Sequence, residues 1–279
     1  MKPTTYSFSK LLLFVFLFCA IALYTNAQKL PNKQEISLRA PANIKIDGKV
    51  DEWDNKFQAY NNANRVFYTI ANDDDNLYII IKATDLYSIS KIGIGGIIFT
   101  ISNLTDKKLR EKAVDNITIQ FPVININKST LFESTIRQYQ DLKTDAVTNK
   151  KEIEGLIESG NKRIADMFKD IKVTGIKTID ELIPVSNTNS IQAAGGFDKQ
   201  MNYINEIAIP LKYLNSVITN GQQFSYNIKL KGAPTPEDWL RINKFPPPQA
   251  ERNDGDVDHD YKYRDAPTDF WGEYTLAKK

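Results

Sequence analysis

The chain has 279 residues, with 36 Lys and Arg against 34 Asp and Glu, one His and one Cys. That near balance gives no basis for a nucleic-acid or anionic-membrane partner. One Cys excludes multi-thiolate metal sites, and a lone histidine, His259, excludes multi-His zinc sites and leaves a single residue on which a Ser-His-Asp triad could be built.

Lys2 and Lys10 precede an unbroken apolar run, Leu11–Leu23, and Thr25 and Ala27 follow as small residues. A charged start, a short apolar core and a small-residue exit predict a secretory signal peptide over residues 1–27, cleaved near Ala27. The run is shorter than the roughly 20 apolar residues of a membrane span, so no stable membrane anchor is expected. Bulky Phe18 ahead of Cys19 argues against a lipoprotein-type signal. The expected mature chain carries no Cys, and without Lys2 and Lys10 its charges balance at 34 each. A secreted or periplasmic protein of this kind is disulfide-free and must be held by its core, with a metal as the candidate helper.

Residues 28–42 are polar with two prolines and predict an exposed lead-in to one domain over 43–279. Ile44 and Ile46 alternate with Lys45 before Asp47-Gly48 and predict a first strand and turn. Asp51 and Glu52 then suit the start of a short helical turn, after which Trp53 and Phe57, four apart, plug one end of the fold. Val66, Tyr68 and Ile70 alternate; Leu77–Asp85 is almost wholly apolar in its first half, as in a strand covered on both faces. Gly95–Ser102 and the alternating Ile117, Ile119 and Phe121 add further strands, separated by Asn, Asp and Gly. From about 129 to 170 the apolar spacing becomes helical, with Ile153, Leu156 and Ile157 on one stripe and Ile164, Met167, Phe168 and Ile171 on another. Asn149 with Glu152 has capping-box spacing, and Gly160 is the expected break between two helices. Strands resume at Ile171–Ile176, Asn202–Pro210 and Phe224–Leu230, and the chain closes on a strand at Asp269–Ala277. The predicted fold is mainly β, an antiparallel β-sandwich with a helical insertion at about 129–170. The insertion's stripes read first as packing surface.

Four separated stretches carry a resemblance: "IDGKVDEW" at Ile46–Trp53, "DDNLYIIIKATD" at Asp74–Asp85, "YINEIAIPLKYL" at Tyr203–Leu214 and "DFWGEYTL" at Asp269–Leu276. In this order they resemble the family-nine carbohydrate-binding module and its wider DOMON-like β-sandwich relatives, over most of residues 40–279. The insertion is not part of that pattern. The resemblance implies a carbohydrate-binding-module-like sandwich, with sugar held by aromatic platforms and a few polar side chains, often near calcium. Trp53 and Trp271 fall at positions assigned to the core.

Trp239 stands in a proline-rich, charged loop with Arg241 two residues on. The ring could stack on a pyranose face while Arg241 hydrogen-bonds a hydroxyl; the competing and favoured reading has Trp239 closing one end of the sandwich. Asp254, Asp256, Asp258 and Asp260 alternate in "DGDVDHD" and read equally as a calcium loop or a solvated acidic loop, since calcium takes six to eight oxygens. Asp73, Asp74 and Asp75 read as a turn. Glu206 lies in an otherwise apolar strand and points into a groove or to solvent. His259, among acids, reads as a surface salt link. The function these features predict is an exported, non-catalytic binding module for a carbohydrate or related polar ligand, with calcium as the candidate cofactor. The alternative is a structural or interaction domain whose insertion contacts another envelope or secreted protein. A glycosidase ranks last, because no two carboxylates can be singled out as a pair.

Overall fold

The alternating stretches form two antiparallel sheets packed face to face. The computed structural model describes residues 29–104, 106–110, 113, 115–218, 223–234 and 259–279, without the side chains of Lys107, His259, Asp260 and Tyr261. One sheet has five strands in the order β1 (Ala59–Asn61), β2 (Val66–Asn72), β3 (Asn76–Ala83), β9 (Tyr203–Pro210) and β8 (Gln192–Phe197). The other has six, β11 (Thr268–Thr275), β10 (Gln223–Leu230), β4 (Ile97–Ser102), β5 (Ile117–Phe121), β6 (Asp170–Thr174) and β7 (Leu182–Pro184). All of this belongs to one compact unit, Pro31–Lys279. The sequence-predicted mainly β sandwich with a helical insertion is therefore the observed architecture.

Period-two alternation decides what each face buries. Leu77, Ile79 and Ile81 of β3 and Ile207 and Ile209 of β9 meet Phe99, Ile119, Tyr226 and Ile228 of the second sheet in the main core. Each such side chain contributes on the order of 1.5–3 kcal/mol when fully buried. The Tyr68 and Tyr226 hydroxyls meet across the sheets at 2.9 Å, and the backbone N–H of Gln34 donates to Tyr68 Oη at 2.8 Å, so these buried polar atoms are partnered. Gln34 is thus buried, although its neighbours in the lead-in are mostly exposed.

β3 is covered on both faces, as its apolar run implies. Tyr78 and Ile80 face away from the main core and, with Ile204 and Ala208, lie under Val50 and Trp53, against which Ile44, Ile46 and Phe57 pack. This corrects two expectations. Residues 44–46 pair with no strand, and Trp53 does not plug an end of the sandwich. The segment instead roofs the outer face of the five-stranded sheet, with Asp51–Trp53 as the short helical turn that was expected.

Four helices occupy one end. α1 (Leu86–Gly95) starts where Asp85 accepts from Tyr87 N and Ser88 N, an N-cap that sequence reading missed. It also takes Gly95 out of the strand expected to begin there. α2 (Ile126–Lys143) and α3 (Lys150–Met167) are the insertion, and α4 (His259–Asp265) precedes β11. The break between α2 and α3 falls at residues 144–149. Gly160 lies within α3 instead, where a Cβ would approach Thr135 Cγ2 at 3.2 Å, so the bare backbone permits close helix packing. Asn149 does occupy the N-cap position of α3, but its side chain does not cap that helix and instead donates to Leu142 O in the last turn of α2 at 2.9 Å. The buried stripe enters the main core: the Phe132 ring lies 5.3 Å from Phe197 and 5.5 Å from Tyr203. Asn161 accepts from Phe197 N at 2.6 Å and donates to Phe197 O at 2.9 Å, so α3 occupies part of the free edge of β8.

Candidate functional site

Of the residues singled out from sequence, Trp239, Arg241, Asp254, Asp256 and Asp258 lie outside the described residues. Asp260 belongs to the first turn of α4, and its side chain, like that of His259, also lies outside them. Among the described residues no three His, Cys, Asp or Glu side chains are placed to hold a metal ion. The acids of the β2–β3 connection form a turn. Asp73 accepts from Asp75 N and Asn76 N, and from Tyr78 Oη at 2.7 Å, while Asp74 pairs with Arg39 and Lys279. Burial and the Asp73 carboxylate push the Tyr78 hydroxyl up to about 12.

Trp271 is not a core residue, contrary to the sequence reading. Along β11, Phe270 and Tyr274 point into the main core, and Gly272 leaves space that Tyr226 fills: a Cβ there would lie 2.3 Å from its ring. Trp271 therefore points to the outer face of the six-stranded sheet, half-buried beneath the guanidinium of Arg110, 4.6 Å from the ring centroid. Arg110 comes from the β4–β5 connection, and its Nη1 donates to Ser225 Oγ at 3.4 Å. A stacking ring with a guanidinium nearby is one of the two readings of Trp239 and Arg241; the described structure assembles such a pair from Trp271 and Arg110, residues far apart in sequence.

Strand register sets the rest of this face. Trp271 pairs with Asn227, Asn227 with Thr100, Thr100 with Thr118, and Thr118 with Thr174. One row of aromatic, amide and hydroxyl side chains thus crosses five strands. At about 4.8 Å between strands it spans about 19 Å. Asn227 Nδ2 donates to Asp269 Oδ2 at 2.7 Å and to Phe270 O at 2.9 Å, which fixes its amide, and the Thr118 and Thr174 hydroxyls bond to one another. The two sheets differ sharply here. The outer face of the five-stranded sheet is largely apolar around Glu206 and roofed by residues 44–57, whereas the outer face of the six-stranded sheet carries Asn, Thr, Ser and Gln together with Asp269, Glu273, Lys229 and Lys172 beside the outward Trp271.

Among the described residues a carboxyl and an ammonium are fully buried. Glu206 points neither into an open groove nor to solvent. It is fully buried under the roof, and its Oε2 accepts from Asp47 N at 3.0 Å and Gly48 N at 2.9 Å. Burial pushes its carboxyl up to about 7; the two backbone donors and the nearby Trp53 indole N–H oppose that rise, though neither Glu206 Oε1 nor Trp53 Nε1 completes a hydrogen bond. Gly48 sits at φ +79°, and a Cβ there would lie 2.7 Å from the Gly195 carbonyl carbon, so "DG" is required by this docking. At the helical end Lys91 is fully buried, with Nζ 3.5 Å from the Tyr263 ring centroid and 3.2 Å from Thr268 Oγ1. Burial, then the charge of Arg65, lowers its pKa to about 8.

No family model matches the chain, and no curated protein matches it.

Proposed function

We propose that this is an exported, non-catalytic module that binds a carbohydrate or related polar ligand on the outer face of the six-stranded sheet, in the manner of the family-nine modules its motifs resemble. The observation that carries the reading is Trp271, held half-exposed on a face that also carries hydroxyl, amide and charged side chains. A sugar offers an apolar C–H face and a rim of hydroxyls. A tryptophan meets the first, and Thr100, Thr118 and the guanidinium of Arg110 suit the second. The carboxylates beside the ring favour binding over hydrolysis. Asp269 and Glu273 stand four residues apart on one strand, about 13 Å, wider than the roughly 5–9.5 Å that glycosidase pairs use. The interaction-domain alternative draws less support, because the helical stripes of the insertion are spent on the core. Calcium remains a candidate helper through the acidic segment before α4.

Calorimetric titration of the secreted chain against a glycan panel, in calcium and in chelator, tests the proposal. At least one glycan should bind, and Trp271→Ala should weaken it at least tenfold with an unchanged melting transition. If a folded protein binds no glycan in either buffer, or if Trp271→Ala leaves binding intact, the reading fails.

A further inference from the structure

The row of side chains that begins at Trp271 ends on Thr174, and Thr174 also lines an open cleft of about 830 Å³ at the end of the sandwich opposite the helices. Two loops build it. The β6–β7 loop leaves β6 through Gly175, where φ is +84° and a Cβ would lie 2.2 Å from Asn116 O, so the chain turns sharply there. That loop is pinned by Val173 N donating to Glu181 O and by a Lys172–Glu181 ion pair at 2.7 Å. It presents Ile176 and Ile179, half-buried, and Lys177, exposed. The β9–β10 connection brings the half-buried Tyr213 and the exposed Lys212, whose Nζ lies 5.0 Å from that ring. Leu211 N donates to Asp75 O at 2.7 Å, which anchors this side as well. The cleft is therefore preformed, with an apolar and aromatic floor. Among the described residues neither Lys177 nor Lys212 has an ion-pair partner, and the Lys212 ammonium lies over the Tyr213 ring. The cleft's acids are Glu181, already paired with Lys172, and Asp115. Since Glu181 is taken up by Lys172, the two lysines of the lining stand against one other acid of the lining, Asp115.

We propose that this cleft is the anionic end-subsite of the same binding face, taking the carboxylate of an acidic sugar, with a uronic-acid residue at the end of an oligosaccharide laid along the Trp271–Thr174 row. The inference rests on the carbohydrate reading above and adds its substrate class. Lys177 and Lys212 meet the carboxylate, Tyr213 and Ile176 meet the ring, and Asp115 accepts from a hydroxyl. Long, exposed lysines give a modest, salt-sensitive preference rather than tight binding.

The test uses matched pairs of uronate oligosaccharides and their methyl esters, which share a skeleton and differ in charge, titrated calorimetrically into the secreted chain at low salt. At least one acid should bind about five- to tenfold more tightly than its ester, and the gap should close at high salt. The Lys177→Ala/Lys212→Ala double variant, altered only at exposed positions, should erase the gap and keep the ester's affinity. Trp271→Ala should weaken both members of the pair. Equal affinity for acid and ester across all pairs, or a preference that survives in the double variant, overturns the inference while leaving sugar binding standing. If neither form of any pair binds, and no neutral glycan does, the carbohydrate reading falls and this inference with it.

Discussion

Glu206 makes stability pH-dependent in a window where few other side chains titrate. Its carboxyl sits at about 7 in the fold, against 4.5 when exposed. Between those values the unfolded chain has released this proton while the folded chain still holds it, so rising pH favours unfolding. The penalty is absent below about pH 4.5, grows through the window and levels off above about 7. At about 1.36 kcal/mol per pH unit the full effect is about 3 kcal/mol, and full burial of the side chain leaves little solvent screening to reduce it. Asp198 does not contribute in this window: burial would raise its pKa, but bonds from Asn202 and Lys82 hold it below the usual range, so its stabilisation is lost only at more acid pH. Glu206→Gln keeps an acceptor for Asp47 N and Gly48 N but cannot ionise. Urea denaturation from pH 4.5 to 8 should show wild-type stability falling relative to the variant by about 3 kcal/mol. A constant offset between the two is immaterial, since the amide meets Trp53 differently. A difference that changes by less than about 0.5 kcal/mol over that range would refute the buried-carboxylate account.

Two further substitutions probe the helical end. Phe132→Ala should cost about 3–5 kcal/mol in urea denaturation, as for a buried phenylalanine elsewhere, because its ring packs on Phe168, Phe197 and Tyr203; a cost below about 1 kcal/mol would mean the insertion is not part of the core. Lys91→Met should leave stability at pH 7 equal or higher, because a lysine lowered to about 8 against 10.5 when exposed carries a penalty that is relieved only as pH rises through 8 to 10.5. The wild-type gain over that alkaline range should vanish in the variant, and a loss above about 1 kcal/mol at pH 7 would show that the Tyr263 and Thr268 contacts outweigh the desolvation.

What the sequence made legible follows how local each signal is. The strands with clean alternation and the helical stretch near 129–170 were readable because a period of two or of 3.6 is written in adjacent residues. β1 and β7, three residues each, are too short to show a period, and β8, "QAAGGF", has too few large apolar residues to announce a strand. α1 was hidden because "LYSISKIGIG" carries β-branched residues and glycines of low helix propensity, and its burial against neighbouring elements overrides them. Gly160 read as a breaker because glycine weakens helices, yet close packing against Thr135 and Phe197 is where its missing side chain is useful.

The site turned on the same distinction between average habit and local pattern. The motif resemblance sets Trp271 at a core position, where most tryptophans lie. The stretch "DFWGEYT" already held the contrary signal. Phe270 and Tyr274 share a parity that belongs to the core, Gly272 between them can only be a hollow for a partner across the sheet, and so Trp271 must share the outer face with Asp269 and Glu273. Parity decides which face a strand residue occupies, whatever its average burial. Glu206 obeyed the same rule, since its parity set it on the face opposite the core. Its true partners, the backbone of Asp47-Gly48, lie in a segment with no strand at all. No local pattern encodes that docking; it arises because a carboxylate on an outer face can be roofed once a glycine turn brings two backbone donors over it. The two motifs "IDGKVDEW" and "YINEIAIP" are thus halves of one structural joint, while Trp271 stands on the sheet face that this joint does not cover.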